Sequence, residues 1–264
     1  MRLIRLVYME YSNEVVIEAK NLKKTYVVGE TRVHALNGVD FSINRGEFCM
    51  VVGTSGSGKS TLLNMIAGLE RPTKGQIIVA GEHIENKSEG QLVIFRQKHV
   101  GFIFQAYNLM PNMTALENVE LPLTFQGVDK FIREKKAIKM LKMVGLGKYA
   151  MHRPTQMSGG QQQRVGIARA LVVKPEIIFA DEPTGNLDTK TSMEVLKLMH
   201  NIARTKNQTI VMVTHDNYLA SFGDKIIHII DGKIINIEDN RENAERNFAS
   251  LEENINNTEA MAIV

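Results

Sequence analysis

Short, almost uninterrupted apolar runs alternate with amphipathic ones along this chain. EFCMVVG, QIIVAG, HVGFIFQ, EIIFADE and QTIVMVTH read as strands, too short for helices and apolar at nearly every position. Between them STLLNMIAGLE, VGIARALVV and KTSMEVLKLMHNIARTK carry helical patterns. Such alternation predicts an α/β core built on a largely parallel sheet. IIHIIDGKIINI departs from it: two apolar runs meet at Asp231-Gly232, which predicts a hairpin. From about residue 106 to 157 strand patterns are missing, and that stretch reads as a helical insertion with two helices between Thr114 and Met143. After Glu238 the pattern turns polar and acidic, which predicts a solvated helix or a disordered tail with no specific function. No internal repeat is visible.

Composition narrows the class. A chain of 264 residues with 44% hydrophobic content suffices for one or two domains with a sizeable core. With 32 basic and 29 acidic residues the net charge is only +3, so nucleic acid is not an expected partner. The single cysteine, Cys49, lies in EFCMVVG and reads as a buried strand residue; an internal disulfide is impossible, which fits a reducing compartment. No apolar run approaches the ~18 residues of a membrane span. The opening MRLIRLVYMEYSNE is interrupted by Arg5 and lacks a small-residue cleavage site, so no secretory leader is expected. The expected location is cytoplasmic.

The chemistry begins at GTSGSGKS. Gly53, Thr54, Ser55, Gly56, Ser57, Gly58, Lys59 and Ser60 follow a strand, open a helix, and fit G-x-x-x-x-G-K-[ST] at every fixed position. The glycines let successive backbone N–H groups curl around phosphates; Lys59 supplies a point charge to them, and Ser60 is a candidate Mg2+ ligand. Thr61, next in the chain, joins the nucleotide-binding set. IIFADEPT supplies an acidic partner: Asp181 ends an apolar strand, where ligands collect in open α/β sheets, and suits the same metal. Glu182 beside it is placed to orient and deprotonate an attacking water. His215 and Gln105 also end strands; alone, each would pass for an ordinary strand-end polar residue. Tyr26, in NLKKTYVV, suits either stacking on a base or packing.

MSGGQQQR raises a separate question. Ser158 and Gln161 form an S-x-x-Q capping box before VGIARALVV. Capping does not explain Gly159 and Gly160, each costing about 1 kcal/mol relative to alanine inside a helix. Glycine at a helix start suits close approach of an anion.

Over residues 15 to 236 these elements, in this order, resemble the nucleotide-binding subunits of ATP-binding-cassette transporters. The resemblance implies a P-loop NTPase core, an N-terminal antiparallel β subdomain and a helical signature subdomain at about 106–170, flanked by an extension at 1–14 and a polar tail at 237–264. It assigns Tyr26 to adenine stacking, Gly53–Ser60 to the phosphate loop and Gln105 to the glutamine loop, with Gln105 joining Ser60 and Asp181 on Mg2+. Ser158, Gly159, Gly160 and Gln161 match the signature, Gly185-Asn186-Leu187-Asp188 the D-loop, and Glu182, His215 and Lys59 the catalytic set. In such proteins two subunits pack head to tail around two ATP molecules, so the signature glycines would approach the nucleotide held by a second copy of the chain.

VHALNGVDFSI, NLMPNMTALENVELPL and TGNLD look like the branch containing macrolide-exporter, lipoprotein-releasing and bacitracin-type antimicrobial-peptide ATPases. The resemblance therefore implies an ATPase at the cytoplasmic face of the membrane, powering a separate transmembrane permease. A cell-division regulator of the same branch and a soluble non-transport cassette ATPase are the alternatives. The latter fits less well, because there is one phosphate loop and no coiled coil between Lys59 and Ser158. Tyr107, Leu109, Met110 and Met113 either pack within the helical subdomain or line a groove for the permease.

Overall fold

A computed structural model describes residues 12–261; most of the expected 1–14 extension lies outside the described residues. Two sheets organise the chain. The first is antiparallel, in the order β2-β1-β4-β5, from β1 (Val15–Val28), β2 (Thr31–Asn44), β4 (Lys74–Val79) and the short β5 (Glu82–His83). The second runs β10-β9-β3-β8-β7-β6, from β3 (Phe48–Val52), β6 (Val100–Ile103), β7 (Ile177–Asp181), β8 (Thr209–Thr214), β9 (Lys225–Ile230) and β10 (Lys233–Asp239). Every pairing in this sheet is parallel except β9 with β10, whose turn at Asp231-Gly232 has φ of 46° and 71°. Positive φ at both central residues matches the twist of a tight hairpin.

The apolar runs are continuous because both sheet faces are covered. Phe48, Met50 and Val52 of β3 enter one core, while Cys49 and Val51 enter the other. The first core lies against α3 (Ala115–Phe125), α4 (Lys130–Met143), α5 (Gly159–Leu171) and α6 (Thr189–Lys206). The second lies among the antiparallel sheet, α1 (Lys59–Ile66) and α2 (Glu89–His99). α2 escaped the hydrophobic pattern, yet its start carries the same S-x-x-Q signal as α5: Ser88 and Gln91 form a reciprocal capping box.

The tail corrects an expectation. β10 continues to Asp239, and α8 (Arg241–Met261) is more than a solvated helix: Ala244 is fully buried and Phe248 almost so. Ala244, Phe248 and Leu251 form a narrow stripe at helical spacing, easily lost among the polar and acidic residues around it.

Candidate active site

Neighbouring backbone imposes the shape of the loop between β3 and α1. A Cβ on Gly53 would come within 2.2 Å of the Ile229 carbonyl oxygen, and one on Gly58 within 2.4 Å of that of Ala35. Gly58 also has φ of 102°, a conformation closed to most side chains. At Gly56 the space is open. The Gly232 N–H donates to the Ser57 carbonyl at 3.0 Å and fastens the loop to the β9–β10 turn.

Lys59 is buried, and its ammonium donates to the Thr54 carbonyl at 2.8 Å without a carboxylate partner among the described residues. Ser57 Oγ is buried and unpartnered. An ammonium hydrogen-bonded to a neutral carbonyl, with the Asp181 carboxylate near enough to attract it but not to hydrogen-bond it, sits within a glycine-rich loop whose backbone N–H groups suit an anion. The adjoining cleft holds about 410 Å³ and is lined by loop residues, Glu182, Val33, His34 and the Asp231-Gly232 turn. That turn was legible as a hairpin; its place beside the loop was not.

Asp181 ends β7, and Ser60 Oγ donates to its Oδ1 at 3.0 Å. Burial lifts the Asp181 carboxyl above the ordinary aspartate range; the Ser60 hydrogen bond opposes this and neighbouring Glu182 adds to it. No cluster of three His, Cys, Asp or Glu able to hold a metal occurs among the described residues. A hydroxyl and one carboxylate nevertheless fit Mg2+, which takes few protein oxygens and fills its shell with water and phosphate. Glu182 follows with φ of 41°, held by its N–H donating to the Val213 carbonyl at 3.1 Å. Left-handed backbone at a glutamate costs on the order of 1 kcal/mol and points to a site where geometry outweighs comfort. His215 Nδ1 lies 3.2 Å from Glu182 Oε2.

Ser158 caps α5 as expected: its N–H donates to Gln161 Oε1 at 3.0 Å, and its Oγ accepts from the Gln161 N–H at 3.3 Å. For the two glycines the structure supplies a reason that the sequence did not. A Cβ on Gly159 would lie 2.8 Å from the Tyr107 hydroxyl, and one on Gly160 2.4 Å from the Thr191 methyl. Thr191 cannot yield easily, because its hydroxyl donates to Asp188 Oδ2 at 2.6 Å and its N–H to Asp188 Oδ1 at 3.0 Å. Asp188 thereby caps α6. Contacts within one subunit already crowd a side chain at both positions.

Gln105 lies over the loop after β7, where a Cβ on Gly185 would meet its Nε2 at 2.8 Å, and its carbonyl accepts from Asn186 Nδ2 at 3.0 Å. No hydrogen bond joins Gln105 to Ser60 or Asp181. Tyr107 and Asn108 follow at φ of 60° and 49°, and Arg169 donates to both carbonyls, at 2.8 and 2.6 Å. Leu109 packs against the first core, leaving Met110 as the exposed member of the expected groove. Tyr26 pairs across β1 and β2 with Val33, which lines the cleft; Tyr26 itself is not among the lining residues, and its hydroxyl donates to Glu70 Oε2 at 2.7 Å. Sequence reasoning missed Arg169 and Thr191, which carry no motif signal of their own.

A glycine loop and acidic residues gathered at the carboxyl edge of a parallel sheet define a P-loop nucleotide hydrolase. The ABC transporter family model matches residues 36–185. An uncharacterised ABC transporter ATP-binding protein of Methanocaldococcus jannaschii is 51% identical over 84% of this chain and 98% of its own length. The macrolide export ATP-binding/permease protein MacB of Chlorobaculum tepidum is 46% identical over 83% of this chain and 33% of its own length. The lipoprotein-releasing system ATP-binding protein LolD of Geobacter metallireducens is 43% identical over 83% and 97%. A dimeric ATP-binding cassette in a post-hydrolysis state bound to ADP and Pi matches with TM-score 0.79 and 44% identity, over 85% of this chain and 99% of that one. The chain belongs to the ATP-binding-cassette transporter family, in the macrolide and lipoprotein-releasing branch; it is an ATPase subunit that powers a transmembrane permease.

Proposed function

We propose that the chain hydrolyses Mg2+-bound ATP as a peripheral subunit at the cytoplasmic face of a membrane. It does so as a head-to-tail pair with a second copy, beneath a permease that exports or extracts a peptide, lipoprotein or antibiotic. The buried Lys59 ammonium inside its glycine-rich loop, hydrogen-bonded to no carboxylate, carries this reading. Backbone N–H groups of the loop, with Lys59, hold the phosphates, while Tyr26 stacks on the adenine. Ser60, Asp181 and Gln105 would hold Mg2+, which would neutralise phosphate charge. Glu182 orients the attacking water and takes its proton, and His215 fixes the Glu182 carboxylate. From the partner copy, the Ser158 hydroxyl and the N-terminus of α5 face the γ-phosphate, where a helix end stabilises negative charge. The names of the macrolide-export and lipoprotein-releasing relatives support the choice of cargo class.

Glu182→Gln is the direct test. Turnover is expected to fall by about 10²-fold or more, since an amide accepts no proton, while ATP still binds. Size exclusion with ATP and Mg2+ should then show an accumulated dimer. An active variant would remove Glu182 as the base, and a monomer under all conditions would remove the sandwich.

A further inference from the structure

The first half of α8 is tied to the segment that follows His215. Asn247 Nδ2 donates to the Ser221 carbonyl at 2.9 Å and to the Ser221 hydroxyl at 3.1 Å. Asn240 Nδ2 donates to that same carbonyl and to the Gly223 carbonyl, both at 2.9 Å. Phe248 stands edge-on to Phe222, ring centroids 4.8 Å apart, and stacks on His200 of α6 at 3.5 Å. At the start of the helix Arg241 reaches buried Glu47 at 2.6 Å, so α8 is anchored to the root of β3 as well.

What α8 grips is the end of α7 (Asn217–Ala220), a helix of one turn. A helix this short has no stability of its own and keeps its place only through what holds its ends. Its start is capped by Asp216 Oδ1, which accepts from the Tyr218 and Leu219 N–H groups at 2.7 and 3.3 Å. The Asp216 N–H donates in turn to Thr214 Oγ1 at 3.0 Å. His215 lies between these two residues, with its side chain 61% exposed and in contact with Glu182. Tyr218 and Leu219 share a cavity of about 190 Å³ with His215 and Glu182. The far end of α7 is closed by Ser221, whose N–H donates to the Asn217 carbonyl at 3.1 Å and whose hydroxyl donates to the Tyr218 carbonyl at 2.7 Å. Ser221 is also the residue held by Asn240 and Asn247. Hydrogen bonds thus run without a break from α8 through α7 to the residue after His215.

We propose that α8 is a positioning element for hydrolysis: Asn240, Asn247 and Phe248 fix α7, and α7 keeps His215 on Glu182. This rests on the reading of Glu182 and His215 as the hydrolytic pair. It makes the C-terminal helix a control point, because releasing α8 slows turnover without touching the phosphate loop.

The test uses the full chain with Asn247→Asp, which keeps the size of the side chain and removes both N–H donors, and with Phe248→Ala. Expected is a fall in kcat of about tenfold, within the ~10²-fold that a small displacement of a catalytic group costs, with KM and Kd for ATP unchanged. The His215 imidazole NMR signal, assigned by its loss in His215→Ala, should shift in both variants. Should Asn247→Asp not fold, Asn247→Ala takes its place. Folded variants with full kcat and an unmoved His215 signal would reduce α8 to packing. Parallel losses in melting temperature and ATP affinity would overturn the proposal in favour of general destabilisation. Retained turnover in His215→Ala and Glu182→Gln would instead overturn the underlying assignment of the pair.

Discussion

The hydroxyl of Tyr107 occupies the space that a side chain on Gly159 would need, 2.8 Å from the position of its Cβ. One residue in the segment after Gln105 thereby sets a limit on the first turn of α5. Gly159→Ala should destabilise the subunit even without nucleotide, and Tyr107→Phe should restore much of the loss, because the nearest neighbours are then Leu187 Cδ2 at 3.4 Å and the ring carbon at 3.7 Å, both at ordinary contact distance. Thermal unfolding of the two single variants and the double variant gives a cycle, with an expected coupling of roughly 0.5–3 kcal/mol. Strict additivity would show that the contact does not constrain the glycine.

Lys59→Ala removes a buried ammonium whose hydrogen bond goes to the Thr54 carbonyl and which attracts the Asp181 carboxylate without hydrogen-bonding it. Without ATP the variant should melt no lower than the parent, since burying a poorly compensated charge costs stability. With ATP the parent's melting temperature should rise by mass action, whereas the variant's should stay flat. A nucleotide-dependent rise in the variant would place the phosphates elsewhere.

Asp181 carries a pH signature. Burial, its largest cause, raises the folded carboxyl above the unfolded value, so the ionised form is penalised in the folded state. The folded protein holds the proton more tightly, and the cost is present above the raised folded value and vanishes as pH falls below the unfolded one. Asp181→Asn should therefore raise the melting temperature at neutral pH, with a gain that shrinks toward acid, while abolishing Mg2+-dependent turnover. A gain independent of pH would point to a cause other than ionisation.

His200 shifts the opposite way. Burial, with Arg204 adding to it, lowers the imidazole from 6.5 to about 3. Its neutral form contributes stability that is fully present above 6.5 and is lost as pH falls toward 3. His200→Phe keeps a ring against Phe248 and removes the proton site. Melting curves between pH 7 and 4 should show a smaller acid loss in the variant; parallel curves would mean that His200 takes up its proton in the folded state as readily as in the unfolded chain.

For the permease, the structure narrows the useful substitution to Met110, which is 48% exposed, because Leu109 packs into the core. Met110→Glu should reduce co-purification with the membrane partner while ATP binding persists. Assembly at the parental level would put the docking surface elsewhere, for example at exposed Phe125 and Phe131.

Sequence alone determined the parts of this protein that depend on local order. GTSGSGKS announced a glycine-rich turn between an apolar strand and a helix, and S-x-x-Q announced the cap of α5, because turns and caps are satisfied by residues a few positions apart. Apolar runs of strand length announced a buried parallel sheet, since both of its faces must be covered. Long-range contact decided the rest. That Gly159 yields to Tyr107 and Gly160 to Thr191, and that Gln105 rests on Gly185, depend on residues distant in the chain. The polar tail shows the same limit most plainly. Asn240, Asn247 and Phe248 look like any solvated helix when read in order, and only the packing of α8 on Ser221 and Phe222 gives them partners. Local pattern records which residues can be buried or capped; which groups meet there is settled by the tertiary fold, through contacts that leave no period in the sequence.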